Sequence, residues 1–228
     1  MNFSVDNYTK WKEDLVKDIR YFDYRDDMDW NDGNFPEVPQ RTIEVSHPIY
    51  GYTITQSQCN LNNIRDQYLR VKDRCKCILE IGVDFNSIRT EMTSTRIFLD
   101  NKTDETIYIG VDIEDKSYLN NDSKNIFTLK QDSSDIQTVV DFIKSKGCDD
   151  IDFIFIDGWH SINQVMREWE YTKYLSDFGI VGFHDTSIHP GPNSFLKALN
   201  REKWDVIENA CSDNLNDLGV GFAWKKIN

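Results

Sequence analysis

The stretch IDFIFIDGWHSI, residues 151 to 162, runs from strand-like apolar residues straight into Asp157 and His160, side chains that can move a proton or hold a metal. A second stretch, GIVGFHDT, ends an apolar run in His184, Asp185 and Thr186. Carboxylates offer hard oxygen ligands and imidazole titrates near neutral pH, so metal-ion and acid–base chemistry are both open to such residues. What they do depends on which elements bring them together.

Five short apolar runs recur after about Thr53: CILEIGV (77 to 83), IYIGVD (107 to 112), IFTLK (126 to 130), DFIFID (152 to 157) and GIVGFH (179 to 184). Their β-branched, nearly continuous character predicts strands buried on both faces, as in a parallel sheet. Helical patterns lie between them. LNNIRDQYLRVK precedes the first strand, and Ser134 with Gln137 and Ser161 with Gln164 match the capping-box spacing ahead of apolar residues at three- and four-residue intervals. Gly147 is placed to stop the first of those two helices. Near the end, WDVIENA and LGVGFAW are separated only by CSDNLND, too short for a crossover helix, so they are expected to pair antiparallel. The predicted class is α/β: a Rossmann-like open sandwich with a mostly parallel seven-stranded sheet, a terminal antiparallel hairpin and an N-terminal helical extension.

Domain bounds follow from this rhythm. Residues 1 to 58 read as an acidic, aromatic extension serving as a lid or an oligomerisation element, and 59 to 228 as the sheet domain. The formal charge of -13 and pI of about 4.7 argue against a partner held by a basic surface, whether nucleic acid or anionic membrane. The first residues lack a signal-peptide pattern and no apolar run reaches membrane-span length, so a soluble, cytoplasmic chain is expected. Five cysteines without CxxC spacing read as reduced thiols rather than a disulfide framework or a zinc site.

Ligands of open parallel sheets bind beyond the carboxyl ends of the strands. Those ends carry Glu80, Gly82, Val83, Asn86 and Ser87 after the first; Asp112 and Ile113 after the second; Asp132 and Ser133 after the third; Asp157 to His160 after the fourth; and His184 and Asp185 after the fifth. A carboxylate at Asp112 can accept two hydrogen bonds from a ribose diol.

Glu80-Ile-Gly82, Gly110-Val-Asp112, Phe155-Ile-Asp157-Gly-Trp-His160, Gly179-Ile-Val-Gly-Phe-His184-Asp185-Thr186 and the closing Leu218-Gly-Val-Gly together resemble the class I S-adenosylmethionine-dependent methyltransferases. The resemblance is to their small-molecule O-methyltransferases with D-G-x-H and H-D segments, and covers about residues 60 to 226. It implies S-adenosyl-L-methionine as cofactor. The methionine end would lie on Glu80, Gly82, Val83, Asn86 and Ser87, the ribose on Asp112 with Ile113, and adenine against Asp132 and Ser133, with Asp157 also beside the cofactor. Asn86 stands where the family pattern has a second glycine, and asparagine tolerates left-handed backbone better than other non-glycine residues.

Neighbouring fourth and fifth strands would bring Asp157 and Asp185 close, and paired carboxylates repel unless a proton or cation lies between them. Magnesium or another divalent cation on Asp157, His184 and Asp185 would lower the pKa of an acceptor hydroxyl. Catalytic roles fall to His160, His184 and Asp157, with His160 preferred as base. The acceptor would be a sugar, polyketide or phenolic hydroxyl, with Trp159 lining its pocket and subunits pairing through the aromatic extension.

Blander roles stand beside these: Asp157 as a helix cap, in competition with Ser161; His160 as a structural hydrogen-bonder; His184 bonding a neighbouring backbone. Glu168 and Glu170 read as solvated. Competing functions are a cofactor-fold scaffold without chemistry and a nicotinamide-dependent oxidoreductase, the latter opposed by the missing G-x-G-x-x-G.

Overall fold

The computed structural model describes residues 58–83, 93–187, 190–211 and 218–226. Apart from its last residue, Gln58, the expected extension lies outside them, as do Asn86 and Ser87. Seven strands form one sheet: β1 (Cys77–Ile81), β2 (Ile107–Asp112), β3 (Ile126–Lys130), β4 (Ile151–Ile156), β5 (Leu175–His184), β6 (Trp204–Ile207) and β7 (Val220–Lys225), in the order β3-β2-β1-β4-β5-β7-β6. β1 to β5 are parallel, while β7 pairs antiparallel with both β5 and β6. The expected sheet and terminal hairpin are both present. Strand order reverses between β1 and β4, which puts the crevice of an open α/β sheet at the ends of those two strands.

Alternation along the strands explains why the apolar runs are nearly unbroken. From β1, Cys77, Leu79 and Ile81 join one buried cluster and Ile78 the other; from β4, Ile154 and Ile156 point to the first, and Phe153 and Phe155 to the second. Helices α3 (Ile136–Ser145), α4 (Ile162–Glu168) and α5 (Pro190–Ala198) cover the first face with Val139, Val140, Ile143, Val165, Met166, Phe195 and Leu196. Helices α1 (Gln58–Leu69) and α2 (Ser94–Asn101) cover the other with Ile64, Tyr68 and Phe98, and the Tyr68 and Phe98 rings lie 5.7 and 5.4 Å from Phe153. A sheet apolar on both sides is stable only when both are covered.

Ser161 caps α4 as expected, its Oγ accepting from the Gln164 N–H at 3.1 Å, and Gly147 ends α3's turn at φ +91°. The Ser134–Gln137 box is not used. Asp132 Oδ1 accepts from the Ser134 N–H, forming a turn that advances the cap to Asp135, whose carboxylate accepts from the Thr138 N–H. α1 ends at Leu69, before the expected Lys72, because the chain tightens into a 3-10 turn at Lys72–Arg74 to enter β1.

The cysteine reading is corrected. Cys59 on α1 and Cys211 after β6 form a disulfide across a sequence separation of 152, while Cys75, Cys77 and Cys148 are free and buried. Spacing along the chain carries no trace of that pair, because only the folding of α1 onto the sheet brings it together. Among the described residues, no helix is long and apolar enough to cross a membrane.

Candidate active site at the carboxyl ends of the strands

The turn after β1 is built for close approach. Gly82 has φ +78°, and a Cβ there would overlap the carbonyl oxygen of Asp157, so only glycine fits between the β1 and β4 ends. The backbone ties the same two ends together, Asp157 N–H donating to Ile81 C=O at 2.8 Å. Asp112, at the end of β2, accepts from the Val83 N–H through Oδ2 at 2.9 Å and from the Glu114 N–H through Oδ1 at 2.8 Å. Both oxygens keep a further lone pair, and Ile113 beside them is 74% exposed, an apolar surface next to a fixed carboxylate.

Glu80 occupies a different place from that expected. It is wholly buried, and its carboxylate accepts hydrogen bonds from Ser94 (2.5 Å), Thr95 (2.8 Å) and Tyr108. It therefore fastens β1 to the first turn of α2 and to β2 instead of presenting charge to a ligand. Burial pushes its pKa up to about 8 despite those three donors. Ser133 also faces inward: its hydroxyl donates to Glu168 Oε1 at 2.6 Å. Asp132 stays exposed at the β3 end, its Oδ1 engaged with the Ser134 N–H.

Glu168 overturns its reading as a solvated residue. It is wholly buried, where Oε1 accepts from Ser133 and from Gln164 Nε2 at 2.9 Å. A Cβ on Gly158 would sit 3.1 Å from Oε1, so this carboxyl underlies the turn that carries Asp157 and His160. Burial pushes it up to about 7. Glu170 is part-exposed and pairs with Lys173 at 2.8 Å.

The fourth and fifth strand ends do converge. His184 Nδ1 lies 3.0 Å from Asp157 Oδ1 and 3.1 Å from Asp185 Oδ1; His160 Nε2 lies 3.1 Å from Asp185 Oδ2 and 3.5 Å from Asp157 Oδ1. One ligand atom from each of the four falls within 4.8 Å of all the others. Carboxylate and imidazole alternate around this ring, so each acid is flanked by two groups that can carry positive charge. Burial would raise the Asp157 carboxyl, but His184 and His160 outweigh it and hold it well below the usual carboxylate range. Burial would likewise lower His160, and Asp185 and Asp157 more than reverse that.

The supports of this ring lie in the backbone. Asp185 takes φ +58°, a left-handed turn that aims its carboxylate at both imidazoles. The loop beyond it is pinned to the terminal hairpin by the Ser187 N–H on Leu218 C=O at 2.8 Å. Gly191 on α5 has no room for a side chain, since a Cβ would overlap the His160 carbonyl oxygen. Sequence reading missed Gly191, whose only signal was its place in HPGPN after the H-D segment. Trp159 stands 43% exposed beside the ring.

The structure thus brings Asp157, His160, His184 and Asp185 into one cluster, and seats Gly82 and Asp112 at the adjoining strand ends. Such a cluster can hold a divalent cation or pass a proton from an acceptor to imidazole.

No family model matches the chain, and no curated protein matches it by sequence. Solved structures do match it in three dimensions. The MycE methyltransferase from the mycinamycin biosynthetic pathway, in complex with Mg, SAH and mycinamycin VI, is similar with a TM-score of 0.53 and 16% identity over 84% of this chain. This chain spans 55% of that protein's length. The O-methyltransferase from Bacillus cereus in complex with SAH covers 98% of this chain and is itself covered completely (100%), with a TM-score of 0.51 and 13% identity. TomG, an O-methyltransferase from Streptomyces achromogenes in complex with SAM, gives 0.52 and 11% identity over 82% of this chain and 89% of its own. The chain has the fold of the class I S-adenosylmethionine-dependent O-methyltransferases.

Proposed function

We propose that this protein transfers a methyl group from S-adenosylmethionine to a hydroxyl of a small molecule, in the class of sugars, polyketides or phenols. One observation carries the reading: the four-residue ring of Asp157, His160, His184 and Asp185 adjoins the strand ends that carry Gly82 and Asp112. A nucleoside with a sulfonium side chain fits the first half of that edge. Asp112 would accept from the ribose hydroxyls, Ile113 would pack on the base beside Asp132, and the turn that Gly82 packs against the β4 end would receive the amino-acid end. Asn86 and Ser87, assigned to the same end of the cofactor, lie outside the described residues.

The second half of the edge handles the acceptor. His160 would take the hydroxyl proton as the acceptor oxygen attacks the methyl carbon that S-adenosylmethionine would supply, the carbon–sulfur electron pair remaining on sulfur as a neutral thioether. Asp157 and Asp185 hold the imidazole in place and stabilise it once protonated. The donor set of Asp157, His184 and Asp185 fits a divalent cation, which would polarise the acceptor oxygen when bound. The solved structures of like fold, described with SAH or SAM and in one case with Mg, support the same assignment.

Calorimetric titration with S-adenosylhomocysteine tests the cofactor. Saturable binding in the micromolar range is expected, and no heat at millimolar ligand would end the proposal. Methyl transfer from labelled S-adenosylmethionine to a panel of hydroxylated acceptors then tests the reaction.

A further inference from the structure

We propose that the cation site of Asp157, His184 and Asp185 selects a first-row transition ion such as manganese, cobalt or zinc over magnesium. This deepens the reading above and rests on its metal site. The reason is donor chemistry. His184 Nδ1 lies 3.0 and 3.1 Å from the two carboxylates, so an ion held by Asp157 and Asp185 would meet nitrogen as its third protein ligand. The imidazole is held there. Its side chain is 3% exposed, its strand residue is in register with Val220 of β7, and its ring packs 6.4 Å from that of Phe155.

A second nitrogen, His160 Nε2, is within 3.5 Å of the same carboxylates, and among the described residues this cluster contains these two acids and two imidazoles alone. Magnesium demands octahedral oxygen ligands and gives up water reluctantly. Imidazole suits zinc, copper, iron and nickel, whereas carboxylates suit magnesium and manganese alike, and affinity for a nitrogen-containing site rises from manganese to cobalt. Carboxylates alone would not discriminate; the buried histidine does.

The test is titration of chelator-stripped protein with MnCl2, CoCl2 and MgCl2 by calorimetry, with magnesium competition followed through the electron paramagnetic resonance of Mn2+. Manganese is expected to bind at least about 50-fold tighter than magnesium, with cobalt tighter still. Comparable affinities for manganese and magnesium, or no binding of any ion, would overturn the inference on the wild-type protein alone. His184→Asn should cut manganese affinity about tenfold or more while changing magnesium affinity little; an unchanged ratio counts against the assignment of His184. S-adenosylhomocysteine titrated into the same samples separates the two readings. Normal cofactor binding with no ion selectivity sinks the metal inference and leaves the methyltransferase standing, whereas failure of cofactor binding sinks the latter while the ion ratio is still decided.

Discussion

His160 Nε2 lies 3.1 Å from Asp185 Oδ2, so a residue after the fourth strand and one after the fifth share a single contact across the sheet edge. Under the proposed function the contact orients the imidazole that would take the acceptor's proton. Replacing His160 with glutamine keeps a polar group of similar reach and removes the base. Turnover should fall about 10²- to 10⁴-fold, the usual worth of general-base catalysis, while affinity for S-adenosylhomocysteine stays within about twofold. Parallel measurement of kcat and of cofactor Kd checks this, and full turnover in the variant would remove His160 from the mechanism.

The proposed function assigns Asp112 to the cofactor instead. Its Oδ2 accepts from the Val83 N–H and thereby holds the β1 turn, and under the proposed function its remaining lone pairs would accept from the ribose. Asp112→Ala removes both functions and should weaken S-adenosylhomocysteine binding by about 10- to 100-fold, the loss expected for charge-assisted hydrogen bonds worth about 1.5–3 kcal/mol. Asp112→Asn keeps the shape and should lose less. Equal cofactor Kd values for wild type and Asp112→Ala would contradict the placement of the ribose at the β2 end.

These two predictions rest on residues that were legible in the sequence, and the reason is geometric. Strand ends in a parallel sheet must leave the core, so polar residues directly after apolar β-branched runs are marked by position, as Asp112, Asp157 and His184 were. Glu80 broke the rule because the last turn of a buried strand still has one face inside, and hydroxyls from Ser94 and Thr95, on a helix that the apolar pattern did not reveal, were needed to satisfy it. Glu168 was hidden for a related reason. On a seven-residue helix flanked by charge, composition points to solvent, yet the partner that buries it, Ser133, lies 35 residues earlier. Long-range pairs of this kind leave no local pattern.

Glu168 makes a prediction about pH. Its folded-state pKa of about 7 lies above the ordinary 4.5, so the folded chain binds this proton more tightly than the unfolded chain does. Stability from this group is therefore fully present below pH 4.5 and is lost as pH rises towards 7, by a few kcal/mol on an order-of-magnitude basis. Glutamine keeps the acceptor for Ser133 and cannot ionise. Thermal unfolding of Glu168→Gln should match wild type near pH 5 and exceed it at pH 8; a constant offset across that range would show that the carboxyl does not titrate as stated.

The Cys59–Cys211 bond joins residues 152 apart in sequence and fixes α1 against the segment that follows β6. A crosslink of this length stabilises chiefly by restricting the unfolded chain, worth about 2–4 kcal/mol in typical proteins. Cys59→Ser and Cys211→Ser should each lower the unfolding midpoint under oxidising conditions, and the double variant should add little, since either change alone removes the bond. Reductant should bring wild type down to the variants and leave the variants unmoved, because none of them retains a disulfide: Cys75, Cys77 and Cys148 are free, and each single variant has lost one member of the pair. Identical midpoints for wild type and variants in oxidising buffer would show that the two sulfurs are not joined in solution.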